Sequence, residues 1–223
     1  MRYGYFDDEK REYVVERVDA PFSMTNYLGT QRMGAVLSHN AGGYCWLDSP
    51  QYHRITRFRP NGVPMDQPGH YVYLRDDENG DFWSISWQPT GKSLAQANYA
   101  CRHGLSYSTY TCDYDGIQAS QTLFIPREHG SDDPVEIFDV RLCNHSDAPR
   151  TLSVFGYVEF SFHHIEMDQQ NFQMSLYATG SQYRDGAALC EYHYEENSWQ
   201  FFTASFDPDS FDGQRDTFIG AYH

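Results

Sequence analysis

The sequence is short of positive charge. Its 223 residues hold 16 Lys and Arg against 31 Asp and Glu, a formal net charge of −15. Nucleic acids and anionic membranes are gripped by an excess of basic residues, so neither is expected as a partner. Cysteine is sparse too. Cys45, Cys101, Cys112, Cys143 and Cys190 are odd in number and widely spaced, and no C-x-x-C pair occurs. That pattern argues against a zinc site or a disulfide framework and fits reduced thiols in a cytoplasmic protein. No apolar run is long enough to span a bilayer, and none resembles a secretion signal. The Asn144-His145-Ser146 sequon therefore reads as a turn. Helical periodicity is hard to find anywhere. Gly42-Gly43 does not lead into a helix, so no phosphate-cradling loop is present, and no G-x-S-x-G nucleophile motif occurs.

Aromatic residues are plentiful. They make up 17% of the chain, with 18 Tyr and 15 Phe, a composition that favours strands. Turn signals recur between the apolar runs. Tyr3–Phe6 and Tyr13–Val15 read as a first hairpin, and Gly34–Ser38 as a strand. Tyr71–Leu74 and Phe82–Trp87 pair across Asn79-Gly80, and Leu105–Cys112 with Ile117–Ile125 across Asp115-Gly116. Val135–Cys143 and Thr151–Phe162 are expected as a third hairpin. Leu176–Ala178, Ala187–Tyr194 and Gln200–Phe206 continue the series, and a short helix from Ser93 is an option. The reading is an all-β chain, one large antiparallel β-sandwich spanning residues 1–223. Asp48–Gly69, with four prolines, reads as a long surface connection whose Arg54, Arg57 and Arg59 make ion pairs. Thr217–Gly220 looks like a strand just starting, which suggests a domain cut short at its C-terminal end.

The segment from Ser153 to Ser175 carries the most chemistry. In its first half Val154, Gly156, Val158, Phe160 and Phe162 share one face, expected to be buried. Ser153, Tyr157, Glu159 and Ser161 share the other, expected to be wet, with Phe155 out of pattern. The second half is a polar loop of His163, His164, Glu166, Asp168, Gln169, Gln170, Asn171 and Gln173. Planar amides and imidazoles in a fixed array suit the hydroxyls of a sugar, each of which both donates and accepts. His163 and His164 are adjacent, and neighbours on a strand face opposite ways, so no metal is assigned. Glu159 is the local candidate for a glycosidic general acid, but its place on the wet face argues against that role. Trp83, Ile85 and Trp87 alternate with serines and read as core rather than as a sugar-stacking platform.

Several runs resemble a known family. They are Tyr5-Phe6-Asp7-Asp8, Asn26-Tyr27-Leu28-Gly29, Gly42-Gly43-Tyr44, Pro68–Asp76, Arg102–Ser108, Phe155–Phe162, Gln170–Tyr177 and Asp212–Gly220. Together, and in this order, they are similar to the amino-terminal portion of the glycoside hydrolase family 94 phosphorylases. The runs Arg59–Pro89 and Gly156–Tyr177 tilt the resemblance toward the branch acting on chitobiose. Members acting on cellobiose carry Asn where His164 stands and Arg where Met174 stands, while Asn171 and Gln173 match both.

The resemblance implies a supersandwich of the galactose mutarotase-like type, followed in the whole enzyme by an (α/α)6 barrel that is absent here. It implies inverting phosphorolysis of a β-linked disaccharide, with inorganic phosphate as co-substrate and no cofactor. The barrel supplies the general acid, so no catalytic residue is expected in this chain, and the piece alone should be inactive. The implied partners are the disaccharide and a second copy in a homodimer. His164, Asn171 and Gln173, with His163 beside them, fall at the positions that face the acceptor sugar across that dimer. A cellobiose-type domain and a free-standing carbohydrate-binding sandwich are the alternatives.

Overall fold

The computed structural model describes residues 2–57, 69–127, 134–162, 165–171, 179–192 and 199–220. Its largest element is a six-stranded antiparallel sheet. In spatial order its strands are β1 (Gly4–Asp7), β2 (Glu12–Val15), β8 (Asn98–His103), β9 (Tyr107–Tyr114), β10 (Ile117–Phe124) and β11 (Ile137–Asn144). Period-two burial fixes its inward row. Tyr99, Cys101 and His103 on β8, Ser108, Tyr110 and Cys112 on β9, and Ile117, Ala119, Gln121 and Leu123 on β10 all point to the core. The β9–β10 turn places Asp115 and Gly116 at φ 50° and 77°, the left-handed region the Asp-Gly pair announces.

Among the described residues there are three smaller antiparallel sheets besides. One contains β3 (Thr25–Gly29), β4 (Met33–Ser38) and β5 (Gly43–Leu47). Another orders β12 (Leu152–Tyr157), β6 (Tyr71–Asp76) and β7 (Phe82–Ser84), and the last runs β13 (Thr179–Arg184), β14 (Ala187–Tyr192), β15 (Trp199–Thr203). Among the described residues two short helices follow strands, α1 (Ile165–Gln170) and α2 (Arg215–Ile219). Leu37, Leu74, Trp83, Tyr110 and Leu123 from the first three sheets belong to one core cluster. Polar bonds tie these sheets together. The Tyr110 hydroxyl donates to the Ser38 carbonyl (2.7 Å), and Gln121 Nε2 to the His70 carbonyl (2.8 Å). Gly43 is required where it stands. Its φ is 140°, and a Cβ there would lie 1.9 Å from the Val36 carbonyl oxygen.

Four sequence expectations are corrected. Residues 135–143 and 151–162 do not form a hairpin: β11 pairs with β10, and β12 pairs with β6 in another sheet. Arg150, between them, holds this crossing by reaching Asp76 on β6 and Asp115 in the β9–β10 turn. The Ser93 region makes only a turn, with the Gln96 and Ala97 amides donating to the Ser93 carbonyl before β8 begins. Thr217–Ile219 belong to α2, which Gly220 caps, rather than to a strand, and Phe218 stacks on Tyr157 of β12 at 5.0 Å. Finally, the described part of Asp48–Gly69 is no mere surface connection, because Arg54, Thr56 and Arg57 are buried; Arg59 lies outside the described residues. Leu176–Ala178 lies outside the described residues.

Core histidines make the fold sensitive to acid. His103 is buried between the Ser108 hydroxyl (2.9 Å), the Met24 carbonyl (3.2 Å) and the Cys101 thiol (3.7 Å). Burial outweighs the Met24 contact and pulls its pKa down to about 4, with His39 nearby lowering it further. His39 itself is lowered by burial. An unfolded histidine titrates near 6.5, so in that window the unfolded chain binds more protons than the folded one. Stability is therefore full above about pH 6.5 and declines as pH falls toward 4, by about 3 kcal/mol for His103. The carboxylates held low by cations, Asp76 and Asp81 among them, lose their contribution only below their usual 3.8, outside this window. Urea titrations between pH 7 and 4 are expected to show a falling midpoint, with a shallower slope in His103→Gln.

Candidate functional site

The polar segment leaves the sandwich along a seam between two irregular runs. The Arg57 amide donates to the Glu159 carbonyl (2.7 Å), the Ser161 amide to Ile55 (2.8 Å) and the Ile165 amide to Gln51 (2.8 Å). Thr56 and Phe160 form an isolated bridge in the same antiparallel register. Gln200 on β15 closes the other side, its Nε2 donating to the Ser161 carbonyl (2.8 Å). The backbone on which the segment stands is thus bonded on both flanks, although it belongs to no sheet.

Under the seam lies a buried charge cluster. Glu159 Oε2 accepts from Arg57 Nε (2.5 Å), and Oε1 accepts from the Tyr157 hydroxyl (2.5 Å) and from Arg215 Nε on α2 (3.1 Å). The Arg57 side chain is fully buried and that of Glu159 is 6% exposed. Burial, with the Glu159 charge next, pushes the Tyr157 hydroxyl far above its ordinary range, so it stays a donor. Both oxygens of Glu159 are engaged with cations or a hydroxyl, so this carboxylate is a fixed structural charge with no free face for a glycosidic oxygen.

This reverses the expected orientation over Val154–Ser161, while Phe162 is buried as expected. Tyr157, Glu159 and Ser161 face inward, while Val154 is 46% exposed. A one-residue change of register swaps every side chain between faces, and here the aromatic packing of Phe155 and Tyr157 on Phe218 decides which face is buried. Glu159 and Ser161 follow Tyr157 inward, and Arg57 supplies the charge that makes the burial tolerable.

Beyond the seam the chain turns into α1 rather than continuing as an open loop. Asn171 stands one residue after the helix, exposed, with its backbone amide donating to the Met167 carbonyl (3.0 Å). Its side-chain amide makes no hydrogen bond among the described residues, which leaves it available to a ligand. His163, His164 and Gln173 lie outside the described residues. Sequence reasoning expected an ion pair from Arg57 but missed its partner Glu159, and it missed Tyr157 and Arg215, at the base of the segment. The signal was a lone Glu inside an aromatic strand, which needs a cation from elsewhere in the chain.

Residues 11–223 match the glycosyl hydrolase 94 supersandwich domain. The chain belongs to that family. This glycosyl hydrolase 94 domain is 55% identical over 225 residues to an N,N'-diacetylchitobiose phosphorylase of Vibrio furnissii, covering all of the chain and 28% of the relative. It is 56% identical, with the same coverage, to a protein of that name from Vibrio proteolyticus. A solabiose phosphorylase of Paenibacillus borealis is 28% identical over 243 residues, 99% of the chain and 28% of the relative. The chain therefore spans about 28% of the length of these relatives. Trp83 and Ile85 are fully buried in the domain, which makes them core.

Proposed function

We propose that this chain is the amino-terminal β domain of an inverting phosphorylase that cleaves N,N'-diacetylchitobiose with inorganic phosphate. The products are GlcNAc-1-phosphate and GlcNAc. The observation that carries the reading is the identity of more than half the chain, over its whole length, to two chitobiose phosphorylases. In this reaction phosphate takes the place of water in an inverting displacement, and a carboxylic acid outside the chain protonates the leaving oxygen. The domain does no bond-breaking. Its own part is to build a rigid base and present His163, His164, Asn171 and Gln173 to the acceptor sugar of a neighbouring copy in a cytoplasmic homodimer. The bonded seam and the buried Glu159 cluster support that role, because a presenting segment selects its ligand only if its own position is fixed.

The test is phosphate release by the full-length protein from GlcNAc-1-phosphate with GlcNAc as acceptor. Release that depends on GlcNAc supports the reading, and none with this pair contradicts it. Glucose as acceptor with glucose-1-phosphate tests the cellobiose alternative. The 223-residue piece alone is expected to release nothing. A second expectation concerns Asn171. Asn171→Ala should weaken acceptor binding by about 1–3 kcal/mol, the cost of leaving a sugar hydroxyl unpaired. The measurement is the acceptor KM in the synthetic direction, with the donor KM as control.

A further inference from the structure

The fold brings together three potential metal ligands that are far apart in sequence. Cys45 lies on β5, His70 stands immediately before β6, and Glu136 immediately before β11. Their ligand atoms all fall within 4.8 Å of one another. His70 Nε2 and Glu136 Oε2 are 3.0 Å apart, and both side chains are buried, at 0% and 7% exposure. A tetrahedral zinc site has edges of roughly 3.3 Å between N and O ligands and about 3.6 Å to sulfur. The observed cluster needs to adjust by about 1 Å to reach that shape.

The cluster is also poorly satisfied by the protein alone. His70 Nδ1 and Glu136 Oε1 are buried and lack a hydrogen bond among the described residues, and His70 Nε2, though 3.0 Å from Glu136 Oε2, makes no well-aligned one. The contrast with Glu159 is direct. That buried carboxylate meets Arg57 and Arg215, whereas Glu136 meets no Lys or Arg among the described residues. A buried carboxylate without a cation is costly, and orphaned polar atoms around it add to the cost.

We propose that Cys45, His70 and Glu136 bind one divalent transition-metal ion of the zinc class, which staples β5, the start of β6 and the start of β11. The charges balance on binding. The Cys45 thiol gives up its proton to solvent, and the resulting thiolate and the carboxylate offset the 2+ charge, with His70 neutral. The second carboxylate oxygen or water completes the coordination. Cys45 and His70 are almost wholly buried, at 2% and 0% exposure, so the ion is structural and meets no substrate. Thr56 supports the sulfur from the seam side. Its hydroxyl oxygen accepts from the Cys45 amide (2.8 Å) and lies 3.6 Å from the sulfur. The ion would therefore stiffen the run that holds the polar segment.

The experiment is metal analysis and zinc equilibrium dialysis of the full-length protein. The expected result is one equivalent of zinc that is lost in both Cys45→Ser and His70→Gln and kept in Cys143→Ser, whose exposed thiol controls for surface binding. Glu136→Gln preserves shape and removes charge, and should weaken zinc binding by about tenfold or more. Where the Cys45 and His70 variants fail to fold, Glu136→Gln decides the matter. Wild-type protein that takes up no zinc overturns the proposal. So does zinc uptake unchanged in Cys45→Ser and His70→Gln, or unchanged affinity in Glu136→Gln.

Discussion

Arg57→Met is expected to destabilise the domain by about 3–5 kcal/mol, toward the lower end because Arg215 remains. The substitution leaves Glu159 buried, keeping the Tyr157 hydroxyl and a more exposed guanidinium as its partners. A charge that loses its main partner while still shielded from water costs far more than a surface ion pair. The double variant Arg57→Met, Glu159→Leu removes both charges and should recover more than half of the loss. Urea unfolding midpoints of the two variants check this. A single variant within about 0.5 kcal/mol of wild type would show that the cluster carries no stability. The effect should reach the polar segment as well, since Arg57 and Glu159 are also joined through their backbones (2.7 Å).

Trp83→Ala should cost a comparable amount, about 3–5 kcal/mol. Trp83 is fully buried and packs edge-on against Tyr114 at 5.2 Å. Its removal leaves a void walled by strands of two sheets, which can close only in part. Trp87 is half-buried, with its indole N–H donating to the Lys92 carbonyl (3.0 Å), and Trp87→Ala should cost less than half as much. Denaturant titration of the pair separates core from surface. A sugar-stacking role for Trp83 would instead appear as lost ligand affinity with little lost stability.

The strands that read clearly in the sequence were those with one wet and one dry face. The β9–β10 hairpin combined alternation with an Asp-Gly turn and appeared where expected. The run from Ser153 misled because hydrophobicity alone set its inward face. Phe155 and Tyr157, not Val154, face the core, and the deciding contact with Phe218 comes from more than 60 residues later in the chain. The same distance hid the two polar clusters. Arg57 and Glu159 are 102 residues apart, and no local pattern links them. Cys45, His70 and Glu136 carry no motif spacing and meet only because β5, β6 and β11 converge. The family was legible because many short runs matched in order, and α1 was not, because six residues are too few to show a helical period.

The most direct test of the central claim is subunit mixing in the full-length protein. One subunit carries Asn171→Ala, and the other keeps Asn171 but lacks the proposed general acid outside this chain and is inactive. If the segment serves its neighbour's acceptor site, co-expressed mixtures will regain the wild-type acceptor KM in the mixed dimers. If the mixtures keep the raised KM of the Asn171→Ala protein, the segment does not act across the dimer and the account is wrong.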